Sequence, residues 1–141
     1  MNWLLDIDVL SQPSKSKGEA RVVQWLEEQR SRAYTSAIVI AQLARWMQTK
    51  EGKTRADLEV WFRRLLDAME GRIYGFNVSV ALVWAELQHR LEVVGQRMPL
   101  EDSYIAATAI RYGLTIVTGN SRHFRRLDLK VFNPFKELRS N

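Results

Sequence analysis

Four short segments of this chain carry side chains with oxygen donors suited to a hard cation. Asp6 and Asp8 lie in Leu4-Leu5-Asp6-Ile7-Asp8, and Gln42 comes shortly after Thr35-Ser36. Glu101 and Asp102 follow Pro99-Leu100, and Asn120 closes Thr118-Gly119-Asn120. Carboxylates brought together repel one another, and burying them unpaired is costly. A divalent cation relieves both penalties. Mg²⁺ prefers oxygen donors and keeps several waters, so two carboxylates and a substrate phosphate suffice to hold it. Such an ion activates water and stabilises charge on a phosphodiester. Each segment alone also has a plainer reading. Asp6 or Asp8 suits the N-cap of a following helix. Glu101 and Asp102 suit a first helical turn, where the dipole favours acids. Gly119-Asn120 is an ordinary turn pair.

Gathering these segments requires a particular fold, and the apolar pattern points to one. Trp3, Leu4 and Leu5 read as a buried strand ending at Asp6. Ala20 to Arg30 reads as a helix. Tyr34 to Ser36 reads as a strand leading into a helix from Ala37 to Gln48. Lys53 to Arg72 is the clearest helix, with Leu58, Trp61, Phe62, Leu65, Leu66 and Met69 at i, i+3, i+4 spacing. Ile73 to Phe76 suits a strand, and Val78 to Val94 a helix stopped by Gly95. Pro99 opens a helix reaching Tyr112, with Gly113 as its cap. Leu114 to Val117 is a further buried strand, Lys130 to Phe132 a last one, and Pro134 is expected to end regular structure. Ser11 to Gly18 reads as a polar loop. Strands separated by helices imply parallel crossovers and a helix-covered sheet. In such folds functional groups collect beyond the carboxyl ends of the strands, which is where all four segments fall.

The composition agrees. The chain has 141 residues, 46% of them apolar and 26% charged, with no cysteine. That length suits one domain over 1–141 with a core of its own. The lack of cysteine excludes disulfide scaffolds, zinc fingers, iron–sulfur sites and thiol catalysis. No apolar run approaches the ~20 residues of a membrane span. The aspartates in Met1 to Leu10 do not suit a signal peptide, so a cytoplasmic chain is expected. The net charge of +5 is compatible with a polyanionic partner. An acidic pocket in a basic chain suits a nuclease, with the cation on the scissile phosphate and lysines and arginines on the flanking backbone.

The same residues resemble the PIN-domain ribonucleases, and within them the VapC-type toxins of bacterial toxin–antitoxin pairs. The likeness runs from Met1 to Phe135. Leu4-Leu5-Asp6-Ile7-Asp8-Val9-Leu10-Ser11 looks like the family's opening strand and first acid. Ser36-Ala37-Ile38-Val39-Ile40-Ala41-Gln42-Leu43 resembles its second motif. Pro99 to Ala109 is the most specific piece and holds the third motif's acid at Asp102. Thr115 to Phe124 resembles the fourth, and Asn133-Pro134-Phe135 is similar to the close of the FitB-like subgroup. The resemblance implies a three-layer α/β/α fold around a parallel sheet of four to five strands. It implies Mg²⁺ or Mn²⁺ at an acidic cluster and endonucleolytic cleavage of RNA. A homodimer and a small antitoxin protein in the active-site groove are also implied. Carried over by position, Asp6, Asp102 and Asp8 are the expected metal ligands. Asp6, Asp102, Gln42 and Asn120 are the expected catalytic residues, with Thr118 lining the pocket.

Two positions depart from the family pattern. Gln42 stands where relatives usually carry Glu, and His123 where many carry a fourth Asp. Asp8 and Glu101 are placed to compensate. The departures leave open a catalytically impaired module that binds an antitoxin or RNA without cutting. Asp6-Ile7-Asp8-Val9-Leu10 also resembles the nucleophile motif of haloacid-dehalogenase phosphatases. The later acidic pair of that family has no counterpart after Asn120. Arg122, Arg125, Arg126 and Lys130 form a basic run suited to solvent or to an RNA backbone. Arg45 and Trp46, about one turn beyond Gln42, are candidates to face RNA or an antitoxin peptide. His89 is read as a solvated helix residue, and Trp61, Phe62 and Trp84 as packing.

Overall fold

A computed structural model describes residues 1–126 and 128–138. Five strands form one sheet in the order β3-β2-β1-β4-β5, and every neighbouring pair is parallel. They are β1 (Trp3–Leu5), β2 (Ala33–Ser36), β3 (Ile73–Tyr74), β4 (Thr115–Val117) and β5 (Val131–Phe132). The helices are α1 (Ile7–Leu10), α2 (Ala20–Glu28), α3 (Ala37–Met47), α4 (Gly52–Ala68), α5 (Val78–Val93), α6 (Leu100–Tyr112), α7 (Ser121–Phe124) and α8 (Pro134–Glu137). The expected α/β fold with a central parallel sheet of four to five strands is therefore present, with five. The expected single domain over 1–141 includes residues 127 and 139–141, which lie outside the described ones.

The central strands are apolar on both faces because helices cover both. Leu4, Ile116 and Val117 are fully buried, together with Val39 and Leu43 of α3, Leu87 of α5, Ile105 of α6 and Phe124 of α7. Trp61, Phe62 and Trp84 are half-buried and pack against this core, as expected. Trp84 also donates its indole N–H to Ser103 Oγ at 2.9 Å.

Several expected boundaries move. Pro134 does not end regular structure: it occupies the first turn of α8, where its missing N–H costs nothing. Asn133 caps that helix by accepting from Phe135 N at 3.0 Å. The loop expected from Ser11 to Gly18 begins with a 3₁₀ turn at Gln12–Ser14. Helix α4 ends at Ala68 rather than Arg72, and β3 stops at Tyr74 rather than Phe76. Gly113 does cap α6, at φ 67° and ψ 38°, the left-handed conformation that glycine adopts without strain.

The sheet order places a topological switch at β1. The chain moves to β2 on one side of β1 and later to β4 on the other, opening a crevice beyond their carboxyl ends.

Candidate active site

The register of β1 and β4 positions the first two groups. Leu5 pairs with Val117, so Asp6 and Thr118 leave the sheet side by side. Asp6 N donates to Val117 O at 3.0 Å, which holds the two chain exits together. Asp6 is only 4% exposed. Its Oδ1 accepts from Ile7 N at 2.9 Å, capping α1, and its Oδ2 accepts from Thr118 Oγ1 at 2.8 Å. The capping and site readings of Asp6 thus describe the same carboxylate. Burial raises its pKa. The bonds from Thr118 and Ile7 and the nearby His123 oppose that rise without cancelling it.

Asp8 sits two residues further along, on α1. Its Oδ2 accepts from Gly119 N at 2.8 Å. Its Oδ1 is buried with no hydrogen-bond partner. Burial, and then repulsion from Asp6, push its pKa up to about 6. Gly119 is required at this turn by space rather than by φ. A Cβ there would lie 2.6 Å from Asp8 Oδ2 and 3.0 Å from the Phe135 ring. Asn133 braces the turn from the far side, donating to Gly119 O at 3.3 Å.

Helix α6 brings Asp102 to the same end of the sheet in its first turn. Burial and then repulsion from Asp6 raise its pKa, while His123 lowers it. His123 Nδ1 lies 3.1 Å from Asp102 Oδ2. This imidazole comes from α7, a four-residue helix too short to show a period in the sequence. The contact joins residues 21 positions apart, beyond the reach of helical periodicity. The hint in the sequence was positional: His123 occupies the family's fourth acidic position. Neighbouring Glu101 is exposed.

Gln42 is presented by α3, whose N-cap Ser36 accepts from Ile38 N at 3.1 Å. Its Oε1 is also buried without a partner. Asn120 is exposed, and its backbone N–H donates to Thr118 Oγ1 at 3.0 Å. Thr118 therefore links Asp6 to the turn carrying Asn120.

Among the described residues, no three or more His, Asp or Glu side chains close into a metal cage. The donor set is that of an open site. Asp6 lies close enough to Asp8 and to Asp102 to raise the pKa of each. Asp8 Oδ1 and Gln42 Oε1 lack any donor. Buried acceptors without donors are expensive, and hard oxygens with waters and phosphate are what Mg²⁺ accepts. The residues fit such an ion.

The comparisons with known proteins agree with this geometry. The PIN domain model matches residues 5–130. The chain is 34% identical over 137 residues to Toxin FitB of Neisseria gonorrhoeae, covering 95% of this chain and 99% of that protein. It is 28% identical to VapC ribonuclease Y4jK of Sinorhizobium fredii, covering 94% of this chain and 97% of that one. The crystal structure of FitAcB from Neisseria gonorrhoeae superposes with a TM-score of 0.87 at 33% identity, over 94% of this chain and 98% of that one. With the acids at the switch of a five-stranded parallel sheet and likeness along nearly the whole length, the chain belongs to the PIN-domain family, among the VapC-type toxins of the FitB-like subgroup.

Proposed function

We propose that this protein is a metal-dependent endoribonuclease, the toxin of a toxin–antitoxin pair, hydrolysing RNA phosphodiester bonds. One observation carries the reading. Asp6 and Asp8, bonded to the turn after β4, and Asp102, bonded to His123 just beyond it, lie at the same end of the sheet, each with a raised pKa. A site that disfavours its own negative charge is one that a cation stabilises. Asp6 and Asp102 are the residues that would hold Mg²⁺ or Mn²⁺, with Asp8 Oδ1 and Gln42 Oε1 as further oxygens. The chemistry such an ion supplies when bound is polarisation of the phosphodiester and activation of water. Thr118 keeps Asp6 oriented by its hydrogen bond. Asn120, exposed on the adjoining turn, offers an amide to the RNA phosphate. Arg122, Arg125 and Arg126 lie on or just beyond α7, where phosphate contacts would flank the cut.

The same reading includes a small antitoxin protein as partner, seated in the site groove, and a cytoplasmic place of action. We also propose a homodimer. Val78 and Leu82, one turn apart on α5, are 77% and 68% exposed, an apolar pair suited to a second copy. The test of activity is cleavage of single-stranded RNA with Mg²⁺ or Mn²⁺. Cleavage should vanish with EDTA and in Asp6→Asn and Asp102→Asn. Undiminished cleavage in both variants rejects the assignment.

A second reading, an impaired module that binds without cutting, is favoured by Gln42 and by the His123–Asp102 contact, since an imidazole occupies part of the Asp102 carboxylate. Gln42→Glu with His123→Asp distinguishes the two. Cleavage appearing only in that double variant would establish the second reading.

A further inference from the structure

A groove of about 490 Å³ opens between the 3₁₀ turn after α1, helix α3 and helix α4. Its walls include Lys15, Lys17, Trp46, Lys50, Asp57 and Trp61. Lys50 Nζ lies 5.4 Å from the Trp46 ring centroid and Lys15 Nζ 6.0 Å, so two ammonium groups flank one indole. Asp57 is paired with Lys53 at 2.9 Å. Among the described residues, no carboxylate is within ion-pair distance of Lys15, Lys17 or Lys50. The groove is thus a cationic trough around an aromatic face.

Both walls are linked through the chain to elements that carry the acidic site. Trp46 follows Gln42 by four residues on α3, so the two share a face about 6 Å apart along the axis. The loop bearing Lys15 and Lys17 is tied to the Asp8 turn through Gln12. The Gln12 amide donates to Asp8 O at 2.9 Å and accepts from Glu19 N at 2.9 Å. Gly18 closes this loop against Gln12 O, where a Cβ would lie only 2.4 Å away.

We propose that the groove is a single-stranded RNA subsite continuous with the acidic centre. Trp46 stacks one base, and Lys15, Lys17 and Lys50 hold the phosphates on either side. Charge complementarity favours a polyanion, and the aromatic floor favours one with unstacked bases. The volume suits a ligand group of this size. The proposal rests on the ribonuclease reading and adds the path by which the strand reaches the cut.

The test is binding of a short labelled oligouridylate to the full chain in EDTA, read by fluorescence anisotropy across a salt series. RNA cleavage in Mg²⁺ is measured in parallel. Trp46→Ala should weaken binding about tenfold, and Trp46→Phe should retain most of it. Lys15→Glu with Lys50→Glu alters exposed or half-exposed side chains. It should weaken binding and flatten the salt dependence by about 0.7 per lost phosphate contact. If both variants bind like the parent, the proposal is overturned and the groove is left to a protein partner. A parent chain that cleaves RNA but does not bind the oligouridylate overturns the subsite alone. One that neither binds nor cleaves overturns the ribonuclease reading with it.

Discussion

Asp8 is held in an arrangement that disfavours its charge. One oxygen is tied to Gly119 N and the other has no partner. Its pKa in the folded chain, about 6, lies above the ordinary carboxyl value. A raised carboxyl pKa contributes stability below the unfolded value and loses it as pH rises through the folded one. Without metal, the protein should therefore melt at a higher temperature at pH 5 than at pH 7.5. Asp8→Asn keeps an acceptor for Gly119 and removes the charge. It should stabilise the metal-free protein at pH 7.5 by on the order of 1–3 kcal/mol and flatten the pH trend. Thermal melts across pH in EDTA check this, and a variant less stable than the parent at pH 7.5 would refute it. The same residue also marks what was legible. Asp6, Asp8, Gln42, Asp102 and Asn120 are legible as oxygen donors at strand ends and in the helices that follow, and their expected roles come from the family resemblance. Their partners were not, because Asp8 reaches Gly119 across 111 positions and Asp6 reaches Thr118 across 112. No local pattern encodes such pairs.

At the scale of elements, the turn after β4 is the tightest joint. Gly119 packs between the Asp8 carboxylate and the Phe135 ring, with Asn133 bonded behind it. Gly119→Ala should cost about 1–3 kcal/mol through overpacking and should disturb Asp8 in particular. Denaturant titration would show the loss, and an unchanged midpoint would show that the turn has slack. Long helices were legible because an apolar stripe repeats over several turns, as in α4 with Leu58, Trp61, Phe62 and Leu65. The four-residue helices α1, α7 and α8 contain too little of a period to be read. They form through caps and tertiary contacts: Asp6 caps α1 and Asn133 caps α8. The consequence was largest at α7, where missing the helix hid the approach of His123 to Asp102.

Across the whole molecule, the strand order puts β1 in the middle and both crossovers around it, so the site forms only once β1, β2 and β4 have assembled. We propose that 1–141 is a single domain, and the melts described above should show one transition. The α5 face with Val78 and Leu82 is the largest test of assembly. Leu82→Arg should convert a dimer to a monomer in sedimentation velocity without altering the fold, because the side chain is 68% exposed. A parent chain that is monomeric at high concentration would remove this surface from consideration as a self-contact. The net charge of +5 and an acidic centre are opposite in sign, and the reading of a cation held between protein and polyanion reconciles them. Isothermal titration of Mn²⁺ into the protein at pH 7.5, beside Asp102→Asn, tests that reading most directly. Binding in the parent and its loss in the variant are predicted. Equal binding by both proteins, or none by the parent, would contradict it.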